Sequence, residues 1–246
     1  MQKIVSIILF LFLIPNTFGQ SSSPLQISHL TGDFYVYKTF HDYNGASISA
    51  NAMYLVTDKG VVLFDAPWDQ TQFQPLLDTI KARHNKDVVM YFVTHSHDDR
   101  SGGLAFYRQK GIKTYTITLT DQILQKEKKK RAEFVLPNDT TFTVGQHTFK
   151  VYYPGKGHAP DNAVIWFEKE KLLYGGCFIK STEAKDLGYL GDSDVKEWKK
   201  SIKKVQTKFK NPIYIIPGHD DWNNTASLNH TLKMVDEYLI RSSDKK

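Results

Sequence analysis

The stretch Tyr91-Phe-Val-Thr-His-Ser-His-Asp-Asp-Arg100 constrains this chain more than any other. An apolar strand over 88–93 runs into a polar turn that delivers His95, His97, Asp99 and Arg100. Two His one residue apart project the same way from extended backbone, so both imidazoles can reach one ion. Asp99, two positions on, can serve the same ion or an adjacent one. Imidazole with carboxylate is a borderline donor set that suits Zn²⁺. Polar residues also gather in loops that bind nothing, and two isolated His would be read that way. His-x-His-x-Asp-Arg directly after a buried strand is read as a metal motif.

Three later stretches share this character. Gly155-Lys-Gly-His158-Ala-Pro-Asp-Asn162 sets a His in a glycine-flanked turn. Tyr174-Gly-Gly-Cys177 puts the chain's single Cys after a strand over 171–174. Ile213-Tyr-Ile-Ile-Pro-Gly-His219-Asp-Asp-Trp222 is again an apolar strand leading to a His turn. Each lies just past a strand end, where open α/β folds keep their sites. Singly, each is a structural residue before it is a ligand; with the first stretch they supply enough ligands for two zinc ions. His95, His97 and His158 form a three-imidazole set with a fourth position left for water. Asp99, Cys177 and His219 form a second, mixed set, and Asp99 is also the candidate catalytic carboxylate. Water bound between two such ions titrates near neutrality, so hydrolysis without a covalent enzyme intermediate is expected.

Residues 1–19 read as a cleavable signal peptide: Lys3 is the positive n-region, 4–14 the apolar core, and Thr17-Phe-Gly19 a small-residue cleavage site. The mature domain is expected over 20–246, exported and soluble with no membrane anchor. Cys177 cannot form an internal disulfide, and metal ligation gives a free thiol a reason to persist in an oxidising compartment. The chain carries 32 Lys and Arg against 26 Asp and Glu, a net charge of +6. Without basic–aromatic interleaving this does not point to nucleic acid. The densest run, Lys126-Glu-Lys-Lys-Lys-Arg131, reads as an exposed helix end.

In chain order, strands are expected over 25–30 and 34–40, then a Gly/Ser/Asn-rich stretch over 41–49 that reads as a mobile loop. A hairpin follows over 52–57 and 61–64, with Asp65 at its end, and a helix over 70–83 from Phe73, Leu76, Leu77 and Ile80 at helical spacing. Beyond the metal stretch come a helix over 103–109, a strand over 113–116 and a helix over 120–128. Hairpins are expected over 140–144 with 148–153 and over 163–167 with 171–174. The last elements are a helix over 194–209 capped by Asp192 or Ser193, a strand over 213–216 and a helix over 226–240. Tyr91-Phe-Val-Thr-His and Tyr214-Ile-Ile-Pro-Gly-His echo each other. The expected architecture is therefore α/β, with two similar halves whose strand ends converge on one cleft. Ser201-Ile-Lys-Lys204 matches a serine-nucleophile pattern but falls inside a Lys-rich amphipathic helix and is set aside. His29, His41, His84, His147 and His230 lack ligand company and read as ordinary.

His95-Ser-His-Asp-Asp-Arg100, with Gly157-His158, Gly175-Gly-Cys177-Phe-Ile-Lys180 and Gly218-His219, resembles the metallo-β-lactamases of the two-zinc subclass with a Cys ligand. The resemblance runs from about Leu25 to the C-terminal helix. It is specific, because the wider superfamily usually has His at the position of Arg100 and Asp at that of Cys177. It implies a four-layer αβ/βα sandwich, acting as a monomer in a bacterial periplasm, and hydrolysis of penicillins, cephalosporins and carbapenems, small-molecule substrates over which the 41–49 stretch would fold. It also implies that Lys180 binds the substrate carboxylate. The family's Gly-Asn-Leu-Gly-Asp reads here Gly188-Tyr189-Leu-Gly-Asp192, so an Asn that helps hold the lactam carbonyl is a Tyr. Two other readings stay open: a superfamily hydrolase of lactones, thioesters or phosphodiesters, and an exported zinc-binding protein without catalysis.

Overall fold

The computed structural model describes residues 25–43 and 45–244; the expected signal segment lies outside them. Strands β1 (Gln26–Thr31), β2 (Phe34–Tyr43), β3 (Ala46–Thr57), β4 (Gly60–Phe64), β5 (Val88–Phe92), β6 (Lys113–Ile117) and β7 (Phe134–Leu136) form one sheet in that order. The pairs from β1 to β4 are antiparallel and those from β4 to β7 parallel. Strands β8 (Asp139–Val144), β9 (His147–Tyr152), β10 (Val164–Phe167), β11 (Leu172–Gly176) and β12 (Tyr214–Pro217) form the second sheet, with only β11 and β12 parallel.

Side-chain alternation explains why the sheets sit between helices. In β4, Val62 and Phe64 face the other sheet, where they meet Phe149, Ile165, Phe167 and Tyr174. Val61 and Leu63, on the opposite face, pack with Tyr91 against α1 (Phe73–His84), α3 (Leu104–Gln109) and α4 (Thr118–Lys126). A strand buried on both faces needs apolar residues throughout, which is what β4 has. The second sheet repeats this: Val164, Trp166, Leu173 and Ile215 turn outward onto α5 (Val195–Lys208) and α6 (Ser227–Ser243). The result is helix, sheet, sheet, helix, the four-layer α/β sandwich expected, though its halves are unequal: seven strands face five. Each large apolar side chain buried in these layers contributes about 1.5–3 kcal/mol.

Three expectations are corrected. Residues 41–43 and 46–49 are not a loop: they extend β2 and β3 as a ladder pairing His41 with Ile48, Asp42 with Ser47 and Tyr43 with Ala46. The stretch reads as loop because it is rich in Gly, Ser and Asn, whereas its extended form comes from backbone pairing. The cap of α5 is Asp194, which accepts from the Glu197 amide at 3.0 Å, so Asp192 is left for another partner. The basic run is only partly a helix end: α4 stops at Lys126, and Lys129 turns back to Asp98 and Glu127, both at 3.1 Å. No helix among the described residues is long and apolar enough to cross a membrane.

Candidate metal centre

The functional side chains stand at the ends of strands from both sheets. β5 ends at Phe92, and the chain turns through Thr94, His95 and His97 into a one-turn helix, α2 (Asp98–Ser101), carrying Asp99 and Arg100. β11 ends at Gly176, placing Cys177 beside it, and β12 delivers Gly218 and His219. Gly218 has no room for a side chain, since a Cβ there would lie 2.6 Å from the Cys177 amide nitrogen. That close approach brings the Cys and His stretches together.

Asp99 Oδ2, Cys177 Sγ and His219 Nε2 form a triangle with sides of 3.3, 3.3 and 3.5 Å. Ligands at 2.0–2.3 Å from a tetrahedral zinc are separated by roughly 3.3–3.8 Å, so the triangle already has a zinc site's dimensions. His219 Nδ1 lies 2.5 Å from the Ser49 carbonyl, which it can reach only as a donor. That fixes the tautomer and leaves Nε2 as the ligand atom.

The three remaining imidazoles meet beside this triangle. The rings of His95, His97 and His158 have centroids 4.8, 5.3 and 5.0 Å apart and lie nearly perpendicular to one another. Ligand atoms within 4.8 Å of one another group as His95, His97 and Asp99, and as His95, His158 and Cys177. His95 Nε2 and His158 Nδ1 are buried with no hydrogen-bond partner among the described residues. Buried imidazole nitrogens seldom go unpaired, and a cation is the partner they suit. All six predicted ligands thus come to one place.

The electrostatics agree with a cation site. Burial holds the imidazoles of His95 and His158 well below the ordinary His range, which keeps them neutral and able to donate lone pairs. Burial alone would raise Asp99, but the guanidinium of Arg100 and the His219 ring hold its carboxyl well below the ordinary range. For His219, burial works against ionisation, yet the charge of Cys177 and the contacts with Asp99 and Cys177 push its pKa up to about 9.

Arg100 holds the two sheets around this centre. It is fully buried, and its Nε lies 3.2 Å from Cys177 Sγ and 3.0 Å from Asp99 Oδ2. Its terminal nitrogens donate to the carbonyls of Asn51 at 2.6 Å and Gly218 at 2.8 Å.

Several supporting residues escaped sequence reasoning. Asp65, fully buried at the end of β4, accepts from the Thr94 amide at 2.8 Å and from the Tyr174 hydroxyl at 2.7 Å. Asp161 accepts from the Ser96 amide at 2.9 Å, between the two first His. Asp192 meets His97 Nε2 at 2.8 Å, so Nδ1 is the ring nitrogen left to ligate an ion. Asn51 donates to the Pro217 and Asp220 carbonyls.

A cleft of about 680 Å³ opens over the ligands, a size suited to a small molecule. Lys180, 8% exposed, lines it with Tyr189, which is 60% exposed and edge-on to His97 at 5.8 Å. His41, Tyr43, Ile48 and Trp68 form another part of the lining. His41 is therefore not an ordinary surface residue: it stacks on Trp68 at 4.7 Å, and Trp68 stands 6.0 Å from His219. His29, His84, His147 and His230 stay outside the cleft lining. Ser201, on α5, donates to the Lys156 carbonyl at 2.8 Å and is not among the residues that line the cleft.

Comparison with known proteins follows the same lines. Residues 48–219 match the family model described as the metallo-beta-lactamase superfamily. The chain is 48% identical over 223 residues to the type 2 metallo-beta-lactamase of Elizabethkingia meningoseptica, covering 91% of this chain and 90% of that one. It is 45% identical over 208 residues to metallo-beta-lactamase IND-1 of Chryseobacterium indologenes, covering 85% and 87%. The crystal structure of metallo-beta-lactamase IND-7 superposes with a TM-score of 0.84 at 44% identity, covering 87% of this chain and 99% of that one.

Proposed function

This chain belongs to the metallo-beta-lactamase superfamily, and from that premise we propose that it is a two-zinc enzyme opening the β-lactam ring. It is a β-lactam hydrolase, and its activity confers antibiotic resistance. On our reading one zinc is held by His95, His97 and His158 and the other by Asp99, Cys177 and His219. Zinc at such sites supplies Lewis acidity and lowers the pKa of water towards neutrality. The observation that carries this reading is the triangle of 3.3, 3.3 and 3.5 Å between Asp99, Cys177 and His219. The thiolate makes that set soft and selects zinc over magnesium or calcium.

The residues divide the remaining work. Lys180 offers a point charge inside the cleft for the carboxylate carried on the fused ring of penicillins, cephalosporins and carbapenems. Trp68, Ile48 and Tyr43 offer an apolar wall for the substituent at the other end and exclude water from it. In the reaction, water oxygen adds to the lactam carbonyl carbon, the carbon–nitrogen bond breaks and a proton passes to the ring nitrogen. Asp99, held ionised by Arg100 and His219, is the carboxylate we assign to carry that proton. Asp192 on His97 and the Ser49 carbonyl on His219 fix ring orientations, which raises ligand affinity. Residues 1–19 are, on this reading, a leader removed on export to the periplasm; N-terminal sequencing of the mature protein should begin near Gln20.

The test is a panel of nitrocefin, a penicillin, a carbapenem, a lactone, a thioester and a phosphodiester, each with and without chelator. Lactam hydrolysis lost on chelation and restored by zinc supports the assignment. Turnover of the lactone, thioester or phosphodiester in preference to every lactam, or zinc binding without turnover, refutes it.

A further inference from the structure

We propose that Trp198 is a positioning residue for the substrate carboxylate, acting through Lys180. This inference rests on the reading of Lys180 as the cation that meets that carboxylate. Trp198 projects from α5 and is fully buried. Its indole N–H donates to the Phe178 carbonyl at 3.0 Å, which fixes the plane of the ring. In that orientation the ring carries Lys180 Nζ over it, 5.5 Å from the centroid. The same ring stands 5.9 Å from the His158 imidazole, so one indole supports both the cation and the floor of the cleft. Gly157 makes the close packing possible: a Cβ there would lie 2.9 Å from Trp198 Cδ1 and 2.8 Å from the Phe178 ring.

Lys180 needs such a support. Its stem is long and flexible, and its ammonium is a strongly hydrated charge, yet the residue is 8% exposed. Burial lowers its pKa, against the attraction of Cys177 and Asp99. The face of an indole is the best aromatic surface for a cation, and its attraction grows as water is removed. The backbone of Lys180 is held as well, its amide donating to the Thr231 hydroxyl at 2.8 Å. Gly188 stands beside the ammonium, where a Cβ would lie 3.5 Å from Nζ; the glycine keeps that approach clear of a side chain. Lys180 is thus ordered before substrate arrives, and the cost of ordering it does not fall on binding.

Trp198→Leu and Trp198→Phe, each alone and combined with Lys180→Ala, test this by KM and kcat on a carbapenem, with zinc content measured on every sample. Lys180→Ala should raise KM about tenfold or more. Trp198→Leu should raise KM about three- to tenfold with kcat within about twofold and zinc unchanged, and Trp198→Phe should recover most of the loss. In the Lys180→Ala background neither Trp198 substitution should add anything, because the coupling is then gone. An equal rise in both backgrounds, or no rise in either, overturns the role of Trp198 while leaving Lys180 as the anchor. No change in KM for Lys180→Ala removes the anchor, and the inference with it. Should Trp198→Leu not fold, Trp198→Phe carries the cycle: a KM rise of about two- to threefold that vanishes beside Lys180→Ala supports the role, and one that persists overturns it.

Discussion

Replacing Asp65 by Ala tests whether the metal loop is held from behind by a buried carboxylate. Asp65 is not one of the residues that line the cleft; it acts on Thr94, the residue before His95. Its loss leaves the Thr94 amide and the Tyr174 hydroxyl without the acceptor they meet at 2.8 and 2.7 Å, leaves the Thr94 hydroxyl only His95 Nδ1 at 3.3 Å, and takes a carboxylate away from Arg100 Nη1, 3.9 Å distant. An orphaned buried donor costs about 1–3 kcal/mol. Asp65 also sits at φ 65°, in the left-handed region, where Ala costs roughly 1 kcal/mol more than Asp or Asn. The sum, about 3–7 kcal/mol of unfolding free energy, is reduced by the relief of burying a carboxylate whose pKa burial raises. About 3–4 kcal/mol is the expected net loss. Asp65→Asn keeps an acceptor for Thr94 and tolerates the backbone, so it should lose less than half as much. Urea unfolding of the metal-free proteins reads the stability, and chelator competition reads zinc affinity, which should fall tenfold or more as His95 loosens. A loss under about 1 kcal/mol with zinc affinity unchanged would refute the reasoning.

Cys177→Ser should weaken the second zinc and spare the first, so metal analysis should fall from about two ions per chain towards about one; two ions at unchanged affinity would make Cys177 a spectator. Tyr189→Phe should change kcat/KM by less than about tenfold, because the phenol replaces an amide without its short reach; a loss of ~100-fold would show it acting as an oxyanion donor. The metal-free protein should be most stable near pH 6.5. His219, with its pKa raised to about 9, contributes stability that is fully present below 6.5 and lost as pH rises through about 9. His95 and His158, held low by burial, contribute stability present above 6.5 and lost as pH falls. Thermal unfolding across that range should show both limbs, and a steady rise through pH 9 would contradict the assignment.

The ligands were legible because each is a metal-binding residue type placed just past an apolar strand, a local pattern that survives in one dimension. The carboxylates behind them were not. Asp161 reaches Ser96 across 65 residues and Asp192 reaches His97 across 95, and nothing near either in sequence announces its partner. The sequence offers Asp192 or Ser193 as a helix cap because polar residues crowd the start of that amphipathic run, whereas the cap is Asp194. The hairpin at 41–49 escaped for another reason: its ladder consists of backbone bonds, and its side chains follow the solvent rather than a buried face. β7, three residues long, is too short to show a period. The layers themselves were readable, because strands buried on both faces are apolar throughout and the helices over them repeat at every third or fourth residue.

The most direct test measures zinc per chain and carbapenem hydrolysis in the same sample, as metal-free protein is titrated with zinc. The account predicts about two zinc ions bound at saturation, no hydrolysis in the metal-free protein and activity that returns with bound metal. Full hydrolysis with no metal bound, or none on any lactam with both ions in place, would contradict it.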